Sequence, residues 1–296
     1  MDSKIRNSKS AIPNSNLPIG IFDSGVGGLT VYRALHERLP DERFVYLGDT
    51  ARVPYGTKSL ETVERYAVEN ARFLEAHGIK ILVVACNTAS ALALPAIRRA
   101  VQIPVVGVIG PGARAAVATA KNKPILVIAT EATIQSGAYS VAIHKINAAS
   151  EVFERACPLF VPLAEEGWAD SEVAASVAEH YLGDLRSVDT GALVLGCTHY
   201  PILQRVISNT VGSHVKLIDS GEATAGEVER LLQEKPLAHT AAGREDTQRE
   251  LCDDLDHFYV TDAAQRFASV AERFLGVAPS VLEAVEIWGQ DELRTY

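Results

Sequence analysis

The run Ile81-Leu82-Val83-Val84-Ala85-Cys86-Asn87-Thr88-Ala89-Ser90 decides the fold. Four aliphatic residues in succession read as a strand buried on both faces, the pattern of a parallel sheet covered by helices. The run ends abruptly in a thiol, an amide and a hydroxyl, and Ala91-Leu92-Ala93-Leu94 continues as a helix behind them. Polar residues in the turn after such a strand mark the carboxyl edge of the sheet, where open α/β folds bind ligands. The arrangement returns at Ala192-Leu193-Val194-Leu195-Gly196-Cys197-Thr198-His199-Tyr200-Pro201. Two thiols therefore occupy equivalent strand-end turns.

Working outward, residues 18–22 form a strand that ends in Asp23-Ser24-Gly25-Val26-Gly27-Gly28, and residues 29–39 have helical spacing. The G-x-G-G turn lacks the spacing of a dinucleotide or P-loop fingerprint, and its aspartate would repel a phosphate. Residues 44–47 are a second strand, followed by a loop that carries Pro54-Tyr55-Gly56 and an amphipathic helix from 57 to 78. Residues 103–109 read as a strand that stops at Gly110-Pro111-Gly112. In the second half, 124–129 is a strand ending in Thr130, a short strand at 159–161 precedes Glu165, and 170–185 is helical. Residues 215–218 are a last strand, and Asp219-Ser220-Gly221 echoes Asp23-Ser24-Gly25. The remainder reads as mostly helical, with a solvated charged stretch at 233–256.

Asp23 precedes Cys86 by nearly the interval at which Thr130 precedes Cys197, so the landmarks repeat in register. The expected architecture is α/β: two pseudo-symmetric lobes with mainly parallel central sheets and the active site in the cleft between them.

Composition narrows the function. Of 296 residues 47% are hydrophobic, enough for a sizeable core, and the net charge of −9 argues against a nucleic-acid surface. Charges interrupt every apolar run, so no membrane span is expected. The first 17 residues are polar and lack a signal-peptide core, and read as a flexible N-terminal extension. Cys86, Cys157, Cys197 and Cys252 show no C-x-x-C spacing and read as reduced thiols of a cytoplasmic protein. Cys157 and Cys252 are read as inert packing. Cys86 and Cys197 each lie beside hydrogen-bonding groups at the start of a helix, where a thiolate is favoured.

One thiol beside a histidine suggests a nucleophile. Two thiols in symmetric positions suit racemisation, in which one thiolate removes the α-proton and the other thiol protonates the opposite face. Asp23 and His199 are the polar groups nearest in sequence plan to assist them, one for each thiol.

The segments Ile19-Gly20-Ile21-Phe22-Asp23-Ser24-Gly25-Val26-Gly27-Gly28, Pro54-Tyr55-Gly56, Val83-Val84-Ala85-Cys86-Asn87-Thr88-Ala89-Ser90 and Gly196-Cys197-Thr198-His199-Tyr200-Pro201 together resemble the glutamate racemase family, in order and over most of the chain. The resemblance implies a cofactor-independent, metal-free enzyme that interconverts L- and D-glutamate and supplies D-glutamate for bacterial peptidoglycan. It implies Cys86 and Cys197 as acid/base thiols, Asp23 and His199 as their assistants, and Glu165, within Phe160-Val161-Pro162-Leu163-Ala164-Glu165, as a further assisting group. Substrate contacts would come from Ser24, Pro54, Tyr55, Gly56, Asn87, Thr88, Thr130 and Thr198, together with Asp23, Cys86, Cys197 and His199. Ala129 stands where the family often has glycine. The family commonly forms homodimers, so a homodimer is expected. Its fold also implies that the final segment returns to the first lobe, giving 18–98 with 211–296 as one lobe and 99–210 as the other. Three other readings stay open on the residues alone: a racemase of aspartate or a related amino acid, a Cys197–His199 hydrolase, and a metal site from Cys86, Cys197, His199 and Asp23.

Overall fold

The computed structural model describes residues 14–235, 237–238 and 249–287. In chain order the strands are β1 (Ile19–Asp23), β2 (Phe44–Gly48), β3 (Ile81–Val84), β4 (Val105–Gly107), β5 (Ile125–Ala129), β6 (Val152–Ala156), β7 (Ala192–Gly196), β8 (Lys216–Asp219), β9 (His257–Val260) and β10 (Leu282–Ala284). The α-helices are α1 (Leu29–Arg38), α2 (Leu60–Ala76), α3 (Asn87–Leu92), α4 (Leu94–Ala100), α5 (Ile109–Ala120), α6 (Glu131–Gln135), α7 (Ala138–Ile146), α8 (Phe160–Glu165), α9 (Glu172–Leu182), α10 (Gln204–Val211), α11 (Ser220–Glu234) and α12 (Ala264–Leu275).

The strands form two sheets, ordered β10-β9-β2-β1-β3-β4 and β6-β5-β7-β8, with parallel pairing throughout. The four-strand order β2-β1-β3-β4 is repeated as β6-β5-β7-β8. β1 thus matches β5, and β3 matches β7. The aliphatic runs that identified these strands are buried along their whole length, as expected when helices cover both faces. Each such Leu, Ile or Val contributes about 1.5–3 kcal/mol when fully buried, which pins the register of the turns at the strand ends. One apolar cluster includes Ile21 and Val83 of the first sheet, Leu126 and Leu193 of the second, Leu35 of α1 and Val228 of α11. The two sheets therefore share a core, with α1 packed on α11 between them.

The chain crosses between sheets later than expected. β4 bonds to β3 although it lies within 99–210, and β8 bonds to β7 although it lies beyond 210. The first crossing occurs where β4 runs into α5, whose residues pack on β7 and β8. The return is made along α11. The lobe limits at 98/99 and 210/211 are corrected accordingly, and the end of the chain adds β9 and β10 to the first sheet.

Four local expectations also change. Gly110-Pro111-Gly112 does not end a strand but opens α5, where a first-turn proline lacks nothing because those N–H groups have no intrahelical partner. The strand placed at 159–161 is the start of α8, again with a proline in its first turn. The true strand is β6, Val152-Phe153-Glu154-Arg155-Ala156, an edge strand of intermediate burial that tolerates a Glu-Arg pair. The tail is not mostly helical, since His257-Phe258-Tyr259-Val260 forms β9 beside β2. Within the charged stretch, Asp256 is buried and accepts hydrogen bonds from Tyr32 Oη (2.7 Å), Phe44 N (2.9 Å) and Arg249 Nη2 (2.7 Å). Residues 239–248 and 1–13 lie outside the described residues, so the segment expected as an N-terminal extension is described only from 14, where a short 3-10 turn leads into β1.

Candidate active site

The thiols owe their places to the strand ends. Cys86 is the N-cap of α3, and its sulfur accepts from Ala89 N at 3.5 Å while its S–H donates to Ser24 Oγ at 3.4 Å. Behind this pair lies Asp23, completely buried at the end of β1. One carboxylate oxygen accepts from Gly25 N at 2.9 Å, and the other has no hydrogen-bond partner among the described residues. Burial pushes the Asp23 carboxyl above its ordinary value against the opposing charge of His199 and hydrogen bonds from Gly25 and Gly28. Burial, with the neighbouring Asp23 charge, also pushes the Cys86 thiol up to about 12. This half of the site is a neutral thiol backed by a sealed carboxyl.

The other half is ionic. Cys197 Sγ is 3.7 Å from His199 Nδ1, and His199 Nε2 is 3.0 Å from Glu165 Oε1. Burial alone would push the imidazole down, but its hydrogen bonds and charge interactions with Cys197 and Glu165 win and raise it to about 10. The hydrogen bond to His199 holds the Glu165 carboxyl below its ordinary range despite partial burial. Phe274 of α12 packs edge-on to the imidazole with centroids 5.9 Å apart, fixing the ring plane.

The two halves touch at Gly27. A Cβ there would lie 2.3 Å from Thr198 Oγ1 and 2.5 Å from His199 Nδ1, so only glycine lets the turn after β1 meet the turn after β7. Thr30 Oγ1 adds a bond to Thr198 O at 2.8 Å. Asp219, by contrast, ends β8, the counterpart of β4, and caps α11 through Gly221 N at 2.7 Å. Its likeness to the Asp23 turn is a local capping pattern outside the repeat.

One cavity joins the halves. Its wall contains Ser24, Pro54, Tyr55, Gly56, Cys86, Asn87, Thr88, Thr130, Glu165, Cys197, Thr198 and His199 among the residues anticipated from sequence, with Asp23 behind the wall. Tyr55 contributes its ring and backbone, because its hydroxyl donates to Asp49 and accepts from Asn70 Nδ2 at 3.1 Å. Thr88 and Thr130, from opposite sheets, are 3.0 Å apart through their hydroxyls. Lys and Arg are absent from this wall. An anion would be held by hydroxyls, the Asn87 amide and backbone N–H groups. Among the described residues no three His, Cys, Asp or Glu side chains converge as a metal site.

Sequence reading missed four contributors, the first of them Gly25, which lines the wall beside Ser24. Val53 and Val161 form an apolar rim, and Val161 escaped notice because its segment was read as a strand. Thr133 completes a hydroxyl triad with Thr88 (3.2 Å) and Thr130 (3.0 Å), and its i, i+3 spacing from Thr130 was the available signal. Cys157 and Cys252 are buried outside the cavity, each pushed up to about 12 chiefly by that burial. Both are neutral packing thiols.

A family model described as Asp/Glu/hydantoin racemase matches residues 19–228. The chain is 54% identical over 258 residues to a glutamate racemase of Geobacter metallireducens, covering 87% of this chain and 92% of that one. Its fold is similar to the crystal structure of a glutamate racemase isoform from Bacillus anthracis, with a TM-score of 0.84, 38% identity, and 92% and 98% of the two chains covered. It is likewise similar to a Francisella tularensis glutamate racemase solved in complex with D-glutamate, with a TM-score of 0.82, 40% identity, and 92% and 98% covered.

Proposed function

The chain belongs to the Asp/Glu/hydantoin racemase family, and from this premise we propose that it is a glutamate racemase whose two acid/base groups are Cys86 and Cys197. The observation that carries the reading is that two thiols, at equivalent strand ends of two repeated sheets, line one cavity, and each has its own proton-handling neighbour.

The chemistry follows from that arrangement. One sulfur, as thiolate, takes the α-proton from glutamate, and the electron pair left on carbon is delocalised into the α-carboxylate. The other sulfur, as thiol, gives its proton to the opposite face. The product has inverted configuration, and the protonation states of the two sulfurs have exchanged. For Cys86 the partner is Asp23. Its free carboxylate oxygen accepts the thiol proton, and burial brings its proton affinity nearer to that of the thiol, so the transfer is less uphill than to a solvated aspartate. For Cys197 the partner is His199. Held cationic by Cys197 and Glu165, it stabilises the thiolate electrostatically and returns a proton when the thiolate must become a thiol. Ser24, Asn87, Thr88, Thr130, Thr198 and the backbone of Pro54, Tyr55 and Gly56 orient the substrate so that the α C–H lies between the sulfurs.

The reading extends to a cytoplasmic enzyme, without cofactor, that supplies D-glutamate for peptidoglycan and acts as a homodimer. Optical rotation of D- and L-glutamate with purified protein, in EDTA and without added pyridoxal phosphate, tests the activity. Both enantiomers should move to the same racemic endpoint, and a faster response with aspartate would move the substrate assignment. A static signal, or one abolished by EDTA, would refute the reading. Sedimentation at several concentrations tests the dimer.

A further inference from the structure

Tyr139 takes no part in the chemistry above and does not line the cavity, yet it joins the segments that carry the two thiols. It sits in α7, beside the second sheet, and is buried. Its Oη donates to Asn87 Oδ1 at 2.7 Å, across the boundary to the residue that follows Cys86. Its ring lies against the residue that precedes Cys197: a Cβ on Gly196 would come within 3.1 Å of Tyr139 Cε2. On the other side, a Cβ on Gly112 would be 3.4 Å from both Cε1 and Oη. Two glycines leave the slot in which the ring stands.

The amide of Asn87 is the second observation. It is 2% exposed and lines the cavity, and its Nδ2 has no hydrogen-bond partner among the described residues. A buried primary amide has two orientations that differ little in shape but are opposite in polarity. With Oδ1 satisfied by the phenol, the NH2 group is the end left without a partner among the described residues. An unpaired buried donor is unfavourable until something accepts from it, and a carboxylate is the acceptor that the cavity suits.

Resting on the glutamate reading, we propose that Tyr139 is a positioning residue that locks the Asn87 amide with its NH2 group toward a substrate carboxylate. It selects for the anion and against a cationic group at that point. It acts on binding rather than on proton transfer, and does so equally for both enantiomers.

Steady-state racemisation in both directions tests this with Tyr139→Phe, Asn87→Ala, the double variant and Asn87→Asp. Tyr139→Phe should raise KM for D- and L-glutamate about five- to tenfold, the range of one lost neutral hydrogen bond, with kcat within about twofold of wild type. Asn87→Ala should raise KM at least as much, and the double variant should match Asn87→Ala. Asn87→Asp reads the orientation without disturbing the tyrosine, which then bonds one carboxylate oxygen while the other faces the substrate. Its KM should exceed that of Asn87→Ala.

An unchanged KM in Tyr139→Phe, additive effects in the double variant, a wild-type KM in Asn87→Ala, or tighter binding by Asn87→Asp than by Asn87→Ala would each overturn the proposal. If Tyr139→Phe melts too low to assay, the Asp and Ala variants at position 87 decide alone. Wild-type protein that does not racemise glutamate would instead remove the reading on which the proposal rests.

Discussion

The surroundings of Cys86 and Cys197 differ more than the symmetry of their strands suggests. Around Cys86 everything is sealed. The thiol bonds to a serine, and the carboxyl behind it has no exposed surface and feels the charge of His199 without a direct ion pair among the described residues. Around Cys197 charge is led outward, from sulfur to imidazole to Glu165, whose side chain is 28% exposed and lies 3.7 Å from Arg266 on the surface. The same strand-end position is thus equipped once by desolvation and once by ion pairing. A racemase can use unequal devices because each thiol serves as base in one direction and acid in the other.

The largest test of that comparison is removal of the sulfurs. Cys86→Ser and Cys197→Ser should each lower kcat by about a thousandfold or more in both directions, within the range of lost acid/base catalysis. The enantiomers have equal free energy, so kcat/KM for D- and L-glutamate must stay equal in every variant. Any inequality between the thiols therefore shows in kcat and KM separately. In deuterated water, early product should carry solvent deuterium while unreacted substrate keeps its α-hydrogen. A Cys86→Ser variant with wild-type turnover would leave only Cys197 and His199 at work, as the hydrolase reading expects.

The assistants come next. Asp23→Asn and His199→Gln should each cost about ten- to a hundredfold in kcat, since a thiol retained without its partner keeps part of its function. Their pH behaviour should diverge. In wild type the imidazole stays charged until pH approaches about 10, so the limb it controls lies on the alkaline side and should vanish in His199→Gln. The Asp23 carboxyl is raised above its ordinary value chiefly by burial, so the limb it controls lies above that of a solvated aspartate and should vanish in Asp23→Asn. If both variants lose the same limb, the two surroundings are not independent and the comparison fails.

Stability gives a smaller readout with a definite sign. His199 has a folded value near 10 against an ordinary 6.5, so the folded state binds its proton more tightly than the unfolded chain. The stabilisation is complete below about 6.5 and is lost as pH rises through about 10. Glu165, lowered from 4.5, contributes in the opposite sense, with stabilisation present above 4.5 and lost in acid. The melting temperature of wild type minus that of His199→Gln should therefore fall between pH 6.5 and 10. A difference that is flat or rises over that interval would contradict the ion-paired description of this half.

Which features the sequence disclosed follows the same division. The buried strands of both halves were legible because burial writes itself as uninterrupted aliphatic runs: Asp23, Cys86, Thr130 and Cys197 fall where the runs of β1, β3, β5 and β7 end. Elements that meet solvent were harder to read. β6 carries Glu154 and Arg155 in an edge strand, and α8 begins with an apolar Phe160-Val161 pair that imitates a strand. β9 follows an acidic segment whose last residue, Asp256, is buried by Tyr32 and Arg249. Tyr139 acts through Asn87, far away in sequence, and no local spacing marks such a partner; Thr133 was marked locally by Thr130 but not toward Thr88. The crossings between sheets were misplaced because β4 and β8 are followed directly by helices that pack on both lobes.

The smallest expected effect marks the outer limit of the ionic half. Arg266 reaches Glu165 Oε2 at 3.7 Å from α12 and also bonds Glu166 Oε1 at 3.2 Å, but its side chain is 64% exposed. An ion pair of that exposure is worth about 0–1 kcal/mol and weakens with salt. The nearby Arg273 Nη1, at 2.5 Å from Glu165 O, holds the backbone and would keep the carboxylate in place without Arg266. Arg266→Ala should therefore change kcat by less than about twofold at low salt, by the size of a surface pair. The gap between wild type and Arg266→Ala should close as ionic strength rises, whereas the effect of Asp23→Asn, on a group with no exposed surface, should stay the same. A large Arg266→Ala effect that persists at high salt would mean that Glu165 depends on α12 for its position rather than its charge. The boundary between the two halves would then have to be redrawn to include that helix.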